Sequence, residues 1–260
     1  MREWDYGGQR RNMEDDSMVG TLRAQAQVIW PVEREIIERR GGRVLGSVLD
    51  LACGTGEILR RLRADFVCDA IGVDLFAGHL RRAQPPVLKG DGYRLPFPDD
   101  AFDFVAVRHL LQALPDPVGL LEEVRRVLAP GGRLHLLVED YAALFFDVGD
   151  FAVENHFAEV TPSIHPNGTD LYQGRRAWRH VRAAGFAEIH VDPVLVDNQR
   201  CDRDALADVF RYWRDGYAET LSEASGLPVS EITRRFDAMS AAAQDPDRWT
   251  GWLLFALSAM

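Results

Sequence analysis

Residues 49–56, with the sequence LDLACGTG, decide the fold of this 260-residue chain. The apolar half of the stretch predicts a buried strand, and the glycine-rich half predicts a tight turn that leads into a helix. Such a turn lets a ligand approach the backbone closely, and the N-terminus of the next helix favours a negative group. Asp74, twenty positions after Gly54, ends the next predicted strand, where a carboxylate can accept hydrogen bonds from a ribose diol. The pattern indicates a nucleotide-type ligand, with a plain strand–turn–helix connection as the alternative.

Outward from this turn, apolar runs and helical segments alternate along the chain. The predicted strands are 47–51, 70–75, 87–89, 102–107, 133–139, 188–193 and 249–258. Helices are predicted at 17–40, 57–63, 76–83, 116–128, 171–184, 202–223 and 229–243, with a kink or a break in the first at Pro31. Alternation at this spacing predicts an α/β fold: a doubly wound, mostly parallel seven-stranded sheet with an N-terminal helix and a helical cap insertion.

The charge balance limits the classes of partner. The chain has 30 basic and 40 acidic side chains, and this excess argues against a nucleic-acid backbone or an anionic membrane, since both need a positive surface. Three separated cysteines predict a reducing, cytoplasmic location with neither a disulfide framework nor a structural metal. The charged N-terminus does not resemble a signal peptide, and no apolar run is long enough to span a membrane.

Two nucleotide-containing cofactors, a nicotinamide dinucleotide and S-adenosylmethionine, fit the glycine turn and Asp74. The dinucleotide fingerprint needs a small residue at position 59, where this chain has Leu59. The chain instead places Asp50 ahead of two glycines, in the pattern DxAxGxG. It also places Asp91 after the third strand, where a carboxylate can accept from an exocyclic adenine amine. An NAD-dependent oxidoreductase is therefore disfavoured.

Five motifs occur in a characteristic order and spacing: DLACGTG (50–56), GVDL (72–75), GDGYRLPFPD (90–99), FDFVAV (102–107) and RVLAPGGRL (126–134). Together they resemble the class I S-adenosylmethionine-dependent methyltransferases, most of all the small-molecule and ubiquinone/menaquinone-type enzymes. The resemblance covers about residues 45–140, with a weaker likeness at 174–193. One departure is His79, where the group often carries Met.

The resemblance implies a set of residues that bind S-adenosylmethionine. Ala52, Gly54 and Gly56 of the glycine turn line the methionine and ribose portions, and Asp74 accepts hydrogen bonds from the ribose. Leu75, Asp91 and Gly92 surround the adenine. Arg108 faces the methionyl end, and Tyr6 of the N-terminal arm closes over the cofactor. Trp4 and Trp30 are expected beside Tyr6, with a disordered arm or a helix-packing Trp as the alternative.

His109 is the candidate catalytic residue. It follows the fourth predicted strand, at the carboxyl edge where ligands bind in open α/β sheets, and a histidine suits a general base there. A packed structural histidine is the alternative. Residues 139–141 (EDY) follow the fifth strand and either contact the methyl acceptor or cap a loop. His156 and His165 lie in an irregular segment without clustered Cys or acid, so no metal is predicted.

The sequence thus predicts an S-adenosylmethionine-dependent methyltransferase that modifies an oxygen or nitrogen atom of a small molecule of secondary metabolism. Two alternatives stay open: a quinone-type C-methyltransferase and a catalytically silent S-adenosylmethionine-binding regulatory protein. Residues 1–140 hold 19 basic and 22 acidic side chains and residues 141–260 hold 11 and 18, which favours a neutral or cationic acceptor. A homodimer is compatible with the sequence.

Three regions of one domain are expected. Residues 1–44 form an N-terminal arm and a lid helix, and residues 45–140 form the S-adenosylmethionine-binding core. Residues 141–260 form insertions that cover the acceptor, together with the last helix and the final strands. About 50 mostly helical residues separate the last two strands, and an excursion of that length usually covers something.

Overall fold

A seven-stranded sheet forms the centre of the computed structural model, which describes residues 16–148, 157 and 169–260. Its strands are β1 Val44–Leu51, β2 Val67–Asp74, β3 Val87–Lys89, β4 Phe102–Arg108, β5 Leu128–Phe146, β6 His190–Asp197 and β7 Thr250–Ala259. They lie in the order β3-β2-β1-β4-β5-β7-β6, and β7 runs antiparallel to both of its neighbours while the other pairs are parallel. The predicted mostly parallel, doubly wound sheet is therefore confirmed.

Helices cover both faces of this sheet. They are α1 Asp16–Gly41, α2 Glu57–Asp65, α3 Ala77–Leu80, α4 Pro117–Val127, α5 Gln173–Ala183, α6 Arg203–Ser225 and α7 Val229–Gln244. On one face, α1, α6 and α7 bury apolar side chains against β5 and β7, and α1 and α2 do the same against β1. Helices α4 and α5 bury the other face. Alternate side chains of one strand therefore enter different cores, as β-strand geometry requires.

Helix α1 differs from its prediction at Pro31. The helix is continuous through 26 residues although proline lacks the N–H that an interior helical position donates. The buried side chains of Ile29, Trp30, Ile36 and Ile37 lie on both sides of the proline. Their burial in the tertiary structure outweighs the local propensity to break, so the helix is not divided at Pro31, and of the two predicted outcomes the break does not occur.

Other bounds also depart from the sequence expectations, since β1, β2 and β5 begin three to five residues earlier than predicted. Helix α3 has four residues rather than the eight predicted at 76–83. Strand β5 extends to Phe146, so residues 141–146 are strand rather than irregular, because they pair with the start of β7 after a bulge between Glu139 and Leu144. Strand β6 is also longer than predicted and pairs with β7 along its whole length. Both extensions need a partner strand that the local sequence does not reveal.

The last two strands form the expected antiparallel pair, with α6 and α7 between them in the chain. Phe210 and Trp213 of α6 are buried in the core against β7, and Tyr217 packs at its edge. Helix α6 approaches α1 closely at Gly20, where an added Cβ would lie 2.3 Å from the Tyr212 ring. The excursion therefore builds the core that holds α1 over the sheet.

Candidate functional site

An open cleft lies at the carboxyl ends of β1, β2 and β4. Eight of the residues singled out from the sequence line it: Ala52, Gly54, Asp74, Leu75, Asp91, Gly92, Arg108 and His109. Gly56 is not among the residues that line the cleft and is the N-cap residue of α2. Tyr6 and Trp4 fall outside the described residues. The carboxyl edge of a parallel sheet is where ligands bind in α/β proteins.

The glycine turn has the backbone conformation that its sequence requires. Gly54 and Gly56 have positive φ angles of 55° and 79°, which glycine adopts without steric cost, and Ala52 has a strained φ of 58°. An added Cβ on Gly54 would lie 2.8 Å from Cδ1 of Leu22, a cleft-lining residue of α1. Helix α1 therefore packs against the turn, and a larger residue at position 54 would have to displace the Leu22 side chain and adopt an unfavourable positive φ.

Asp74 fixes the turn to the end of β2. Asp74 is 5 % exposed, and its carboxylate oxygens accept hydrogen bonds from the backbone N–H groups of Gly54 and Phe76, each with an N···O distance of 2.8 Å. The imidazole of His79 lies 3.6 Å from the same carboxylate. Both carboxylate oxygens keep free lone pairs, because each can accept more than one hydrogen bond. Asp74 thus shapes the cleft and retains acceptor capacity toward it.

Asp50 and Arg108 place opposite charges in the wall of the cleft. Asp50 is 2 % exposed, and its Oδ2 has no hydrogen-bond partner among the described residues. Burial raises the pKa of Asp50 to about 7, although Arg108 acts in the opposite direction. The Nη2 atom of Arg108 is likewise buried without a partner in the described part of the chain. Buried polar atoms of this kind call for a ligand or a catalytic role.

The orientation of Arg108 depends on Glu33, a residue that sequence reasoning missed. The Nε–H group of Arg108 contacts both carboxylate oxygens of Glu33, at 2.8 and 3.0 Å. Nε2 of His135 lies 2.9 Å from the first of these oxygens. Burial alone would raise the pKa of Glu33, but Arg108 and His135 outweigh it and lower the pKa to about 2. A signal existed, since Glu33 sits on the apolar stripe of α1, three or four residues from Ile29 and Ile36.

His109 forms a short contact with Glu139, the first residue of the EDY segment. Nδ1 of His109 lies 2.5 Å from Oε1 of Glu139, which is 1 % exposed. His109 has a positive φ of 51°, and the Gln112 amide donates to its carbonyl. Its Nε2 is buried without a partner among the described residues, and its ring stacks on Trp252 at 6.4 Å between centroids. A strained, oriented histidine in a cleft wall is typical of a functional residue.

Other residues that the sequence singled out lie away from the cleft. Asp140 pairs with Arg175, and Tyr141 packs in an aromatic cluster with Trp213. Trp30 donates to Asp65 at 2.6 Å and packs against Phe66, which corresponds to the helix-packing alternative. His156 and His165 lie outside the described residues.

No group of three or more His, Cys, Asp or Glu side chains in the described ranges could hold a metal ion. Within the same ranges, each helix is too short or too polar to cross a membrane.

Comparisons with known proteins agree with this geometry. A family profile described as "Methyltransferase domain" matches residues 49–136. A demethylmenaquinone methyltransferase of Corynebacterium kroppenstedtii is 30% identical over 205 residues, which cover 72% of this chain and 86% of that protein. An uncharacterised 37.1 kDa protein in transposon TN4556 of Streptomyces fradiae is 35% identical over 207 residues, or 75% of this chain. The chain spans 58% of the length of that protein.

A solved structure shows the same fold. Phosphoethanolamine N-methyltransferase 2 of Haemonchus contortus, in complex with phosphomonomethylethanolamine and S-adenosylhomocysteine, has a TM-score of 0.59. The match is 18% identical in sequence and covers 96% of this chain and 60% of that one. At 18% identity the similarity shows a shared fold and does not identify the activity of this chain.

Proposed function

Since this chain belongs to the class I S-adenosylmethionine-dependent methyltransferases, we propose that it methylates a small-molecule atom that must lose a proton, first of all a hydroxyl oxygen. The observation that carries the proposal is the His109–Glu139 pair. With Nδ1 donating to the buried carboxylate, the lone pair of His109 is on Nε2, where a general base needs it. An amine that is protonated at the working pH is the other acceptor of this class.

The cleft residues fit S-adenosylmethionine, which supplies an electrophilic methyl group when it is bound. Under the proposal, Asp74 accepts the ribose hydroxyls, and the glycine turn (52–56) lies along the ribose and methionyl portions. Leu75, Asp91 and Gly92 border the adenine. Gly54 lines the cleft without a side chain and has a positive φ, which supports a close approach of the ligand to the backbone.

Asp50 and Arg108 suit the two charges of the amino-acid portion. The unpartnered Nη2 of Arg108 can donate to the carboxylate, and the unpartnered Oδ2 of Asp50 can accept from the ammonium group. Each contact would satisfy a buried polar atom that otherwise costs about 1–3 kcal/mol. This complementarity favours a ligand with a zwitterionic amino-acid end, which a nicotinamide dinucleotide lacks.

The pKa of Asp50 predicts how cofactor affinity varies with pH. Ammonium binding favours the ionised carboxylate, whose pKa in the free protein is about 7. The affinity for S-adenosylhomocysteine should therefore be about tenfold lower at pH 6 than at pH 8, because about nine-tenths of Asp50 is protonated at the lower value. Isothermal titration calorimetry at the two pH values measures this.

Two controls assign that effect to the amino-acid end. 5′-Methylthioadenosine has the nucleoside without the amino-acid portion, so its affinity should change less than twofold between pH 6 and 8. Asp50→Asn should remove the pH dependence for S-adenosylhomocysteine. An unchanged tenfold dependence in Asp50→Asn would mean that another group titrates.

The roles of the acid–base pair follow from their positions. His109 removes the proton of the acceptor at Nε2, and the buried Glu139 carboxylate holds the ring and stabilises the imidazolium that forms. Leu22 and Leu110 line the same cleft and would shield a bound methyl donor from water. Alignment and proton removal are then the contributions of this chain, since the transfer itself is an in-line displacement.

A product assay tests the proposed function directly. The protein is incubated with methyl-labelled S-adenosylmethionine and a panel of phenols, alcohols and amines, and mass spectrometry detects the labelled products. The acidic residues at 141–260 favour neutral or cationic acceptors over phosphorylated ones of the same skeleton. Labelled hydroxyl or amine products that require His109 support the proposal. Equal turnover without His109 would contradict it.

A second candidate, methyl transfer to a ring carbon of a quinol, rests on the relatives named demethylmenaquinone methyltransferase. Removal of a proton from a ring hydroxyl makes the ring carbon nucleophilic, so the same His109 base would serve. A short-chain demethylmenaquinol in the same assay discriminates between the two. A new carbon–methyl bond, identified by its NMR shift, would favour this candidate over oxygen or nitrogen transfer.

A further inference from the structure

We propose that Glu33 of α1 is a positioning residue that holds Arg108 in the orientation needed to bind the carboxylate of the cofactor. This inference rests on the proposed placement of that carboxylate at Arg108. Glu33 does not line the cleft, so it acts through Arg108 rather than on the ligand. The N-terminal helix would thereby contribute to cofactor selection from its buried side.

The contacts of Arg108 divide its guanidinium between two tasks. The Nε–H group contacts both oxygens of Glu33, on the side of the guanidinium that faces α1. The Nη2 atom adjoins Nε on the same edge, but it has no partner among the described residues and keeps its two N–H groups for a ligand. Because the guanidinium is planar and rigid, a fixed Nε edge also fixes the direction of Nη2.

His135 restrains Glu33 in turn. Its Nε2 lies 2.9 Å from Oε1 of Glu33, and the imidazole is 1 % exposed on β5. Its ring also stacks on Phe104, which limits the rotation of the imidazole. The carboxylate is therefore held from two strands, β4 through Arg108 and β5 through His135, while its backbone belongs to α1.

The position of Asp50 explains why such restraint is needed. Asp50 and Arg108 line the same cleft, and the charge of Arg108 acts to lower the pKa of Asp50. Without Glu33, the guanidinium would turn toward Asp50 and form a pair inside the cleft. Once paired with each other, Arg108 could no longer bind the carboxylate of the cofactor and Asp50 could no longer bind its ammonium group. Glu33 thus keeps two opposite charges apart in a site where both are needed.

The experiment compares two ligands in the purified full-length protein. Glu33→Gln should weaken S-adenosylhomocysteine at least fivefold and change 5′-methylthioadenosine less than twofold, because the second ligand has no carboxylate. Arg40→Gln is the matched control, since Arg40 pairs with Asp192 and ties α1 to β6 without touching the cleft. The control should leave both affinities unchanged.

Arg108→Gln separates the two proposals. If it leaves S-adenosylhomocysteine unaffected, the carboxylate does not bind at Arg108, and the proposed placement falls together with this inference. If Arg108→Gln weakens that ligand but Glu33→Gln does not, only the role of Glu33 is overturned. An equal loss of affinity for both ligands in Glu33→Gln would also overturn the proposed role of Glu33, since that result indicates a general distortion of the cleft.

A measurement on the unmodified protein covers the case in which Glu33→Gln does not fold. Hydrogen exchange of the α1 amides around residue 33 should slow at least threefold more with saturating S-adenosylhomocysteine than with saturating 5′-methylthioadenosine. The reason is that carboxylate binding at Arg108 and docking of Glu33 must reinforce each other reciprocally. Equal protection by the two ligands would contradict the inference.

Discussion

His109→Asn is expected to lower kcat by about 10²- to 10⁴-fold, the usual contribution of a positioned general base. The affinity for S-adenosylmethionine should stay within threefold of the wild type, because His109 forms the acceptor side of the cleft under the proposed function. Asparagine is the suitable replacement because position 109 has a φ of 51°, a left-handed conformation that Asn tolerates far better than Ala. Single-turnover measurements with the accepted substrate give the rate, and calorimetry gives the affinity.

Two further variants define what this loss means. Glu139→Gln keeps an oxygen that can accept from Nδ1 but removes the charge, so kcat should fall less than in His109→Asn. His190→Asn changes an exposed histidine of β6 and should leave kcat unchanged. Normal turnover by His109→Asn would show that the histidine is structural. A parallel loss of cofactor affinity and rate would instead place His109 against the cofactor.

The pairing of His109 with Glu139 shows how far sequence reasoning reaches. The sequence places both residues directly after neighbouring strands, at the same edge of the sheet. The register settles their contact, since Arg108 pairs with Leu137 and the backbone N–H of His109 donates to the carbonyl of Leu137, two residues before Glu139. That register contains a shift between Phe102 and Phe104, which periodicity cannot reveal. The motif order is thus predictable, whereas the 2.5 Å contact is not.

Glu33 shows a different limit. Its place on the apolar stripe of α1 is visible in the sequence, and a charge in such a stripe indicates a buried partner. The identity of the partner depends on how α1 crosses β4 and β5, and this crossing follows from tertiary packing against α6. Local patterns therefore predict that Glu33 is unusual without predicting Arg108 and His135 as its neighbours.

Asp74→Ala should weaken S-adenosylhomocysteine by about tenfold to 100-fold, or about 1.4 to 2.8 kcal/mol, the scale for loss of hydrogen bonds to a charged acceptor. The variant loses the proposed contacts with the ribose and the two backbone contacts, with Gly54 and Phe76. Asp103→Ala is the matched control, because Asp103 also accepts a backbone N–H, that of Ser47, but does not line the cleft. Calorimetry should show unchanged affinity in that control.

The affinities of two ligands for wild type and Asp74→Ala show whether Asp74 binds the ribose or only fixes the glycine turn. If Asp74 binds the ribose hydroxyls, the 2′,3′-dideoxy analogue of S-adenosylhomocysteine should bind wild type and Asp74→Ala with nearly the same affinity. If Asp74 acts only by fixing Gly54, the variant should weaken both ligands by the same factor, because the distorted turn affects either one. An affinity of Asp74→Ala within twofold of wild type for the parent ligand would remove Asp74 from the binding site altogether. The lone pairs that its carboxylate keeps beyond the two backbone contacts are the physical basis for expecting the first result.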